Sequence, residues 1–223
     1  TEVSVAVLAD ASSSVDEDWK RFHVFLPTEE RCPYPIIVNG AFSTDLSRQR
    51  VRVRAEAGDY NSHLVREAAR LFVDRMLPVL RHGGVERVLG ALDRGADTGG
   101  DAAELLHASL SEALADVPLL PTESGRSEPL AACVLPSPLL ELEGERFRGV
   151  LAEVATWEGA VVPAGEFCRG RWARVAADHG ARQLTPSECI TVLGKLADPH
   201  RSATTEHHSG GYEIDPVVEL SAL

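Results

Sequence analysis

Arginine recurs at every second position in the stretch S-R-Q-R-V-R-V-R, as Arg48, Arg50, Arg52 and Arg54. On an extended chain a period of two sets all four guanidinium groups on one face and turns Val51 and Val53 to the other. Adjacent cations raise one another's energy unless negative charge lies opposite. Two readings follow from the residues alone. The row is a solvated face balanced by some of the 34 acidic side chains, or it is an anion site. A nucleotide phosphate suits the second reading best, because the planar guanidinium fork matches its oxygens.

Other arrangements with chemical potential are sparse. The glycine pairs at 83–84 and 99–100 are followed by Val85 and Asp101, so neither opens a phosphate-cradling loop ending in lysine. No G-x-G-x-x-G, G-x-S-x-G or H-E-x-x-H occurs. His207 and His208 beside Glu206 sit in a Gly/Ser-rich stretch without enforced geometry, so no metal site is expected. Cys168 with His179, or Cys189 with its neighbours, contains the elements of a nucleophile and base. Buried thiols are the expected reading for these and for Cys32 and Cys133, because the four cysteines are scattered with no C-x-x-C pair.

A formal net charge of −12 disfavours non-specific binding to nucleic acid, a polyanion. Lys20 and Lys195 are the only lysines, so the basic charge is nearly all arginine. No apolar run approaches the ~20 residues that span a bilayer, and the N-terminus has no signal-peptide pattern. No membrane partner is therefore expected. The chain reads as an interior segment of a larger cytoplasmic protein, since Thr1 takes the place of an initiator and Pro216–Leu220 stops in a helix-like pattern.

The elements that would carry the arginines are strand-like in the first third. Val3, Val5 and Val7 alternate, 19–26 predicts a strand ended by Pro27, and Ile36–Val38 predicts a short buried strand before Asn39-Gly40. Val51 and Val53 predict a further strand closing at Gly58. A helix capped by Asp59 or Asn61 follows, with Leu64, Ala68, Leu71, Phe72 and Met76 at helical spacing and Pro78 to kink or end it. Helices are also expected over 85–92 and, capped by Asp101, over 102–114. Beyond Pro118 the pattern predicts a turn at 121–125, helices over 145–157 and 169–179, and a last helix to about 196 with Thr185 as cap and Pro186 in its first turn. Residues 199–211 read as a linker.

The ordered stretches F-H-V-F-L-P-T-E (22–29), P-I-I-V-N-G-A-F (35–42), S-T-D-L-S-R-Q-R (43–50) and Y-N-S-H-L (60–64) resemble the region after the nucleotide-binding domain in sacsin-type, Hsp90-like ATPases of the GHKL superfamily. P-T-E-S-G (121–125), followed by Pro129, resembles a turn that these proteins place further along. The resemblance covers about a third of the chain and implies an α+β fold. An N-terminal strand-rich α/β domain over 1–120, similar to the Hsp90 middle domain and to ribosomal S5 domain 2, would precede a smaller, mainly helical subdomain over 121–198. Residues 199–223 would then be a linker and the truncated start of a following segment.

The resemblance also implies that ATP and Mg2+ belong to an adjacent nucleotide-binding domain of the parent protein, with no cofactor in this segment. D-L-S-R-Q (45–49) is similar to the middle-domain loop whose arginine reaches the γ-phosphate, which assigns Arg48 that catalytic contact and leaves Arg50 and Arg52 as anion contacts. Gln49 stands where the Hsp90 pattern has an acid. The implied role is a non-catalytic middle segment of a chaperone ATPase that couples nucleotide state to conformation or to client and partner binding. The alternative is an interaction module unrelated to ATP, binding an acidic protein partner through the arginine row. A free-standing enzyme of another type is the third reading.

Overall fold

The computed structural model describes residues 2–7, 19–47, 49–53, 59–95, 99–136, 151, 159–185, 187, 188, 190, 191 and 194. These residues form a mixed α+β structure, in agreement with the class expected from the sequence. Strand β1 is Val3–Val7, β2 Arg21–Val24, β3 Leu26–Arg31 and β4 Ile36–Gly40. They form one sheet in the order β1-β4-β2-β3. β4 runs antiparallel to β1, with Val5 opposite Val38, and parallel to β2, with Phe22 opposite Val38.

The single strand expected over 19–26 is instead a reversal. The chain turns at Phe25, which holds a left-handed φ of 63° and donates its N–H to Asn39 Oδ1 at 3.2 Å. Pro27 therefore lies inside β3 rather than ending a strand, opposite His23. A proline is tolerated there because β3 is the sheet edge, with a neighbouring strand on one side only. Asn39 and Gly40 extend β4 instead of turning, because β1 pairs with both of them.

Helix α1 spans Tyr60–Leu71, and its N-cap is Asp59, whose carboxylate accepts from Ser62 N at 2.9 Å. Pro78 does not end the helix, which continues to Arg81. A π turn over Phe72–Met76 precedes it, and helix α2 (Leu77–Arg81) carries the proline in its first turn, where an N–H is not required. Helix α3 (Val85–Ala91) starts after Gly84, whose φ is 98°. Helix α4 (Asp101–Leu114) is capped by Gly100 rather than Asp101. Glu30 of β3 supplies the anion there, accepting from Gly100 N at 3.1 Å. A Cβ at position 100 would approach that carboxylate closely, so a larger residue there would require Glu30 to shift.

A hairpin joins β5 (Pro118–Pro121) to β6 (Ser127–Pro129) through the expected turn, closed by Thr122 N to Arg126 O at 2.8 Å. Strand β7 (Val134–Leu135) pairs in parallel with β8 (Arg182–Gln183), which follows helix α5 (Gly170–Asp178). Thr185 and Glu188 form a capping box, with Glu188 Oε2 accepting from Thr185 N at 2.6 Å and Thr185 Oγ1 from Glu188 N at 3.3 Å. Apart from Leu151, the helix expected over 145–157 lies outside the described residues, as do Pro186 and 199–211.

One continuous core joins these parts. Phe22, Ile36 and Val38 of the sheet meet Leu64, Val65, Ala68 and Phe72 of α1, then Leu106, Leu110 and Leu114 of α4. Leu130, Leu135, Phe167 and Val175 belong to the same cluster. Burying a large aliphatic or aromatic side chain contributes roughly 1.5–3 kcal/mol, so this stripe fixes α1 and α4 against each other and β1 against α1. Among the described residues no helix is long and apolar enough to cross a membrane.

Candidate functional site

Arg50 and Arg52 of the arginine row lie on an excursion between β4 and α1. Its two limbs meet at the isolated antiparallel bridge between Thr44 and Val51, with Arg52 N donating to Ser43 O at 3.3 Å and Asp45 N to Arg50 O at 3.1 Å. The strand expected through Val51 and Val53 is thus reduced to a single bridge. Leu46 and Ser47 form a turn at the far end. Arg48, the residue that the resemblance selects, lies outside the described residues, and so do Arg54 and the expected strand end at Gly58.

The alternation itself survives. Val51 is 4% exposed and packs in the core, whereas Arg50 and Arg52 are exposed. Among the described residues neither arginine makes an ion pair. Asp45 organises the loop from within, accepting at Oδ1 from Gln49 N at 2.8 Å and Arg50 N at 3.4 Å. Desolvation opposes charge on that carboxyl. The Gln49 N–H, the Ser47 hydroxyl, the Arg50 N–H and the Arg52 charge outweigh it and hold the group below its ordinary range. Gln49 also donates from Nε2 to Glu29 Oε1 at 3.3 Å, tying the loop to β3.

Beneath the loop lies a residue that the sequence suggested only as a cap. Asn61, 2% exposed in the first turn of α1, accepts at Oδ1 from Ser43 N at 2.8 Å. Its Nδ2 donates to Ser43 O and to Arg52 O, each at 2.6 Å. One amide side chain therefore holds both limbs. The available signal was position: Asn61 stands three and four residues before Leu64 and Val65, on the apolar stripe of its helix. Glu30 sits nearby. Burial pushes its carboxyl up, and the Gly100 N–H and the Arg50 charge pull it back only partly.

A second polar cluster, half-buried to buried, forms where the end of α5 meets the end of α3 and a face of α4. His179, 1% exposed, faces Leu92 O with Nε2 at 3.1 Å and Ser111 Oγ with Nδ1 at 3.1 Å. A carbonyl only accepts, so Nε2 carries the proton and Nδ1 accepts from the serine hydroxyl. Tyr34 Oη lies 2.6 Å from His107 Nδ1 and forms a hydrogen bond with it, and burial keeps the phenol protonated. The His107 and His179 rings meet edge to face at 5.3 Å. Burial drives His179 down to about 4, against the Leu92 carbonyl, with His107 and Arg94 adding to the fall. Burial lowers His107 as well. A serine hydroxyl bonded to an imidazole has the form of a nucleophile and its base. Here the base is far too weak at neutral pH to take the hydroxyl proton, and the cluster reads as a neutral polar brace.

The described cysteines, Cys32, Cys133 and Cys168, are buried as thiols. Cys168 Sγ donates to Pro163 O at 3.2 Å, while His179 bonds to Leu92 and Ser111, so the sequence pairing of Cys168 with His179 is not made as a hydrogen bond. Burial pushes Cys32 and Cys133 up to about 12, away from nucleophilic reactivity. Cys189, His207 and His208 lie outside the described residues. Among the described residues no group of three or more His, Cys, Asp or Glu side chains is placed to hold a metal ion. Set against protein-family models, curated proteins and solved structures, the chain matches none of them.

Proposed function

We propose that the chain is a non-catalytic segment of a larger Hsp90-like ATPase, bringing the arginines of loop 43–52 to an anionic group held by an adjoining nucleotide-binding module. The observation that supports this reading is the pairing of exposed Arg50 and Arg52 with a loop whose limbs are both held by hydrogen bonds. Cations carried on a held backbone and open to solvent suit a charge that arrives from outside. An arginine offered across a domain boundary neutralises charge developing on phosphoryl oxygens only when the modules close, which ties turnover to conformation. On this reading ATP and Mg2+ belong to the adjoining nucleotide-binding module, and this segment offers Arg50 and Arg52 to the phosphate oxygens. Client or partner binding would then follow from the closure.

The test is ATP turnover by the full-length parent. Arg48→Ala lowers it at least tenfold while leaving the melting temperature in place, since a transferred arginine acts on a scale of roughly 10³-fold or more. Unchanged turnover removes the assignment, as does tight ATP binding by this chain alone. The second reading, an acidic protein partner, draws support from Leu46, fully exposed in the same loop. On that reading Leu46→Asp abolishes capture of the partner and leaves ATP turnover untouched.

A further inference from the structure

We infer that Asn61 is the positioning residue of the arginine loop, setting where Arg50 and Arg52 stand without touching the anion they meet. The inference rests on the reading of loop 43–52 as an anion contact. Its basis is the completeness of the amide's hydrogen bonding. Asn61 uses Oδ1 for Ser43 N and both Nδ2 protons for the carbonyls of Ser43 and Arg52, 18 and 9 residues away in sequence. A primary amide offers two donors and one acceptor atom, and all of them go to this one loop.

No local role accounts for the side chain. Asp59 already caps α1, bonding both the N–H and the hydroxyl of Ser62. A buried asparagine in a helix's apolar stripe carries a desolvation cost unless its partners are fixed, and here those partners are the two limbs that carry the arginines. Arg52 is bonded through its own carbonyl, and Arg50 stands two residues away, beyond the Thr44–Val51 bridge. The geometry also distinguishes Asn61 from an ordinary core residue. Its Nδ2 donors reach only carbonyls of the loop, Ser43 O and Arg52 O, while Leu64, Val65 and Ala68 of the same helix pack in the core.

Two sets of measurements test this. In the unsubstituted chain, both Nδ2 protons of Asn61 exchange with solvent at least about 100-fold more slowly than an exposed amide, and the Ser43 N–H shares that protection. Exchange at the exposed rate overturns the clamp without any variant. Asn61→Asp keeps the acceptor but sets a carboxylate against two carbonyls. Trypsin cleavage after Arg50 and Arg52 should then accelerate by about tenfold or more, on the scale of one buried hydrogen bond lost, while α1 stays helical. Lowering the pH restores resistance in the same variant, read by amide exchange, as the carboxyl protonates and regains one donor.

In the parent protein, Asn61→Asp lowers kcat with the KM for ATP unchanged, because the nucleotide is bound elsewhere. A loop that stays protected in the variant, or an unaltered kcat, overturns the positioning role. If Arg48→Ala, Arg50→Ala and Arg52→Ala all leave turnover intact, the ATPase reading fails and the positioning role fails with it. The exchange and cleavage results, taken on this chain alone, tell that outcome apart from a failure of the clamp itself.

Discussion

The arginine loop and the Tyr34–His107–His179–Ser111 cluster are both built from residues that do chemistry in other settings, and the fold treats them in opposite ways. In the cluster the titratable rings are packed away: His179 is 1% exposed, its nitrogens face a carbonyl and a hydroxyl, and its pKa falls to about 4 because burial disfavours the imidazolium. In the loop it is the uncharged polar group that is buried. Asn61 lies in the core and holds backbone atoms, so the charged side chains of Arg50 and Arg52 remain exposed. Burying neutral polar groups in complete hydrogen-bond sets stiffens a structure, whereas burying a charge costs far more than a single hydrogen bond returns. Reactive residue types thus become bracing in one region, and inert amide chemistry becomes a mount for charge in the other.

The comparison breaks most visibly at His179. His179→Ala deletes a buried ring, opens a cavity between α4 and α5, and leaves Leu92 O without its partner. Cavity and hydrogen-bond losses together predict about 4 kcal/mol of destabilisation, read as a lower urea midpoint. A loss below about 1 kcal/mol would show that the cluster braces nothing. Acid should act on the same residue with a slightly smaller effect. The folded pKa of about 4 lies below the ordinary imidazole value of 6.5, so the unfolded chain binds this proton more readily. The contribution is complete above pH 6.5, declines as pH falls from 6.5 to about 4, and is flat below that, amounting to about 3 kcal/mol. His107 and Arg94 oppose the added charge, and Asp178 and Glu104 act on His107 and Tyr34 in the same cluster. Urea titrations across this window should show the slope reduced in His179→Gln, which carries no titrating ring. An unchanged slope would assign the acid sensitivity to carboxylates elsewhere.

Local chemistry made part of this legible in advance. The Val3–Val7 alternation, the Asp59 cap, the 121–125 turn and the Thr185 cap each depend on residues within a few positions of one another, and each stands where the sequence put it. The Arg/Val alternation also survives, as exposed Arg50 and Arg52 flanking buried Val51. What was illegible is long-range. Phe25 carries none of the usual turn chemistry, and its left-handed backbone is held by Asn39, 14 residues away. Asp101 gave way as a cap to Gly100 because Glu30 brings a carboxylate across 70 residues. Pro78 is accommodated by a widened turn that no single residue type announces. The loop clamp joins Asn61 to Ser43 across 18 residues, so a reading of neighbours sees only a possible helix cap.

The smallest predicted effect sharpens the contrast most, because it concerns what the exposed arginines do not do for the fold. Arg50→Ala and Arg52→Ala together should shift the urea midpoint by no more than about 0.5 kcal/mol equivalent, the range for surface changes away from caps and cores. The loop's backbone bonds run through Asn61, Asp45 and the Thr44–Val51 bridge, none of which requires either guanidinium group. The electrostatic consequences fall on two carboxyls, Glu30, which loses the Arg50 charge, and Asp45, which loses the Arg52 charge, and both move up. A double variant that unfolds at markedly lower urea would mean that the row is a structural ion network, and the case for a cation kept for an external anion would fall with it. A double variant as stable as the original leaves the two arginines with no role in holding the fold, which is the condition any role in recognition requires.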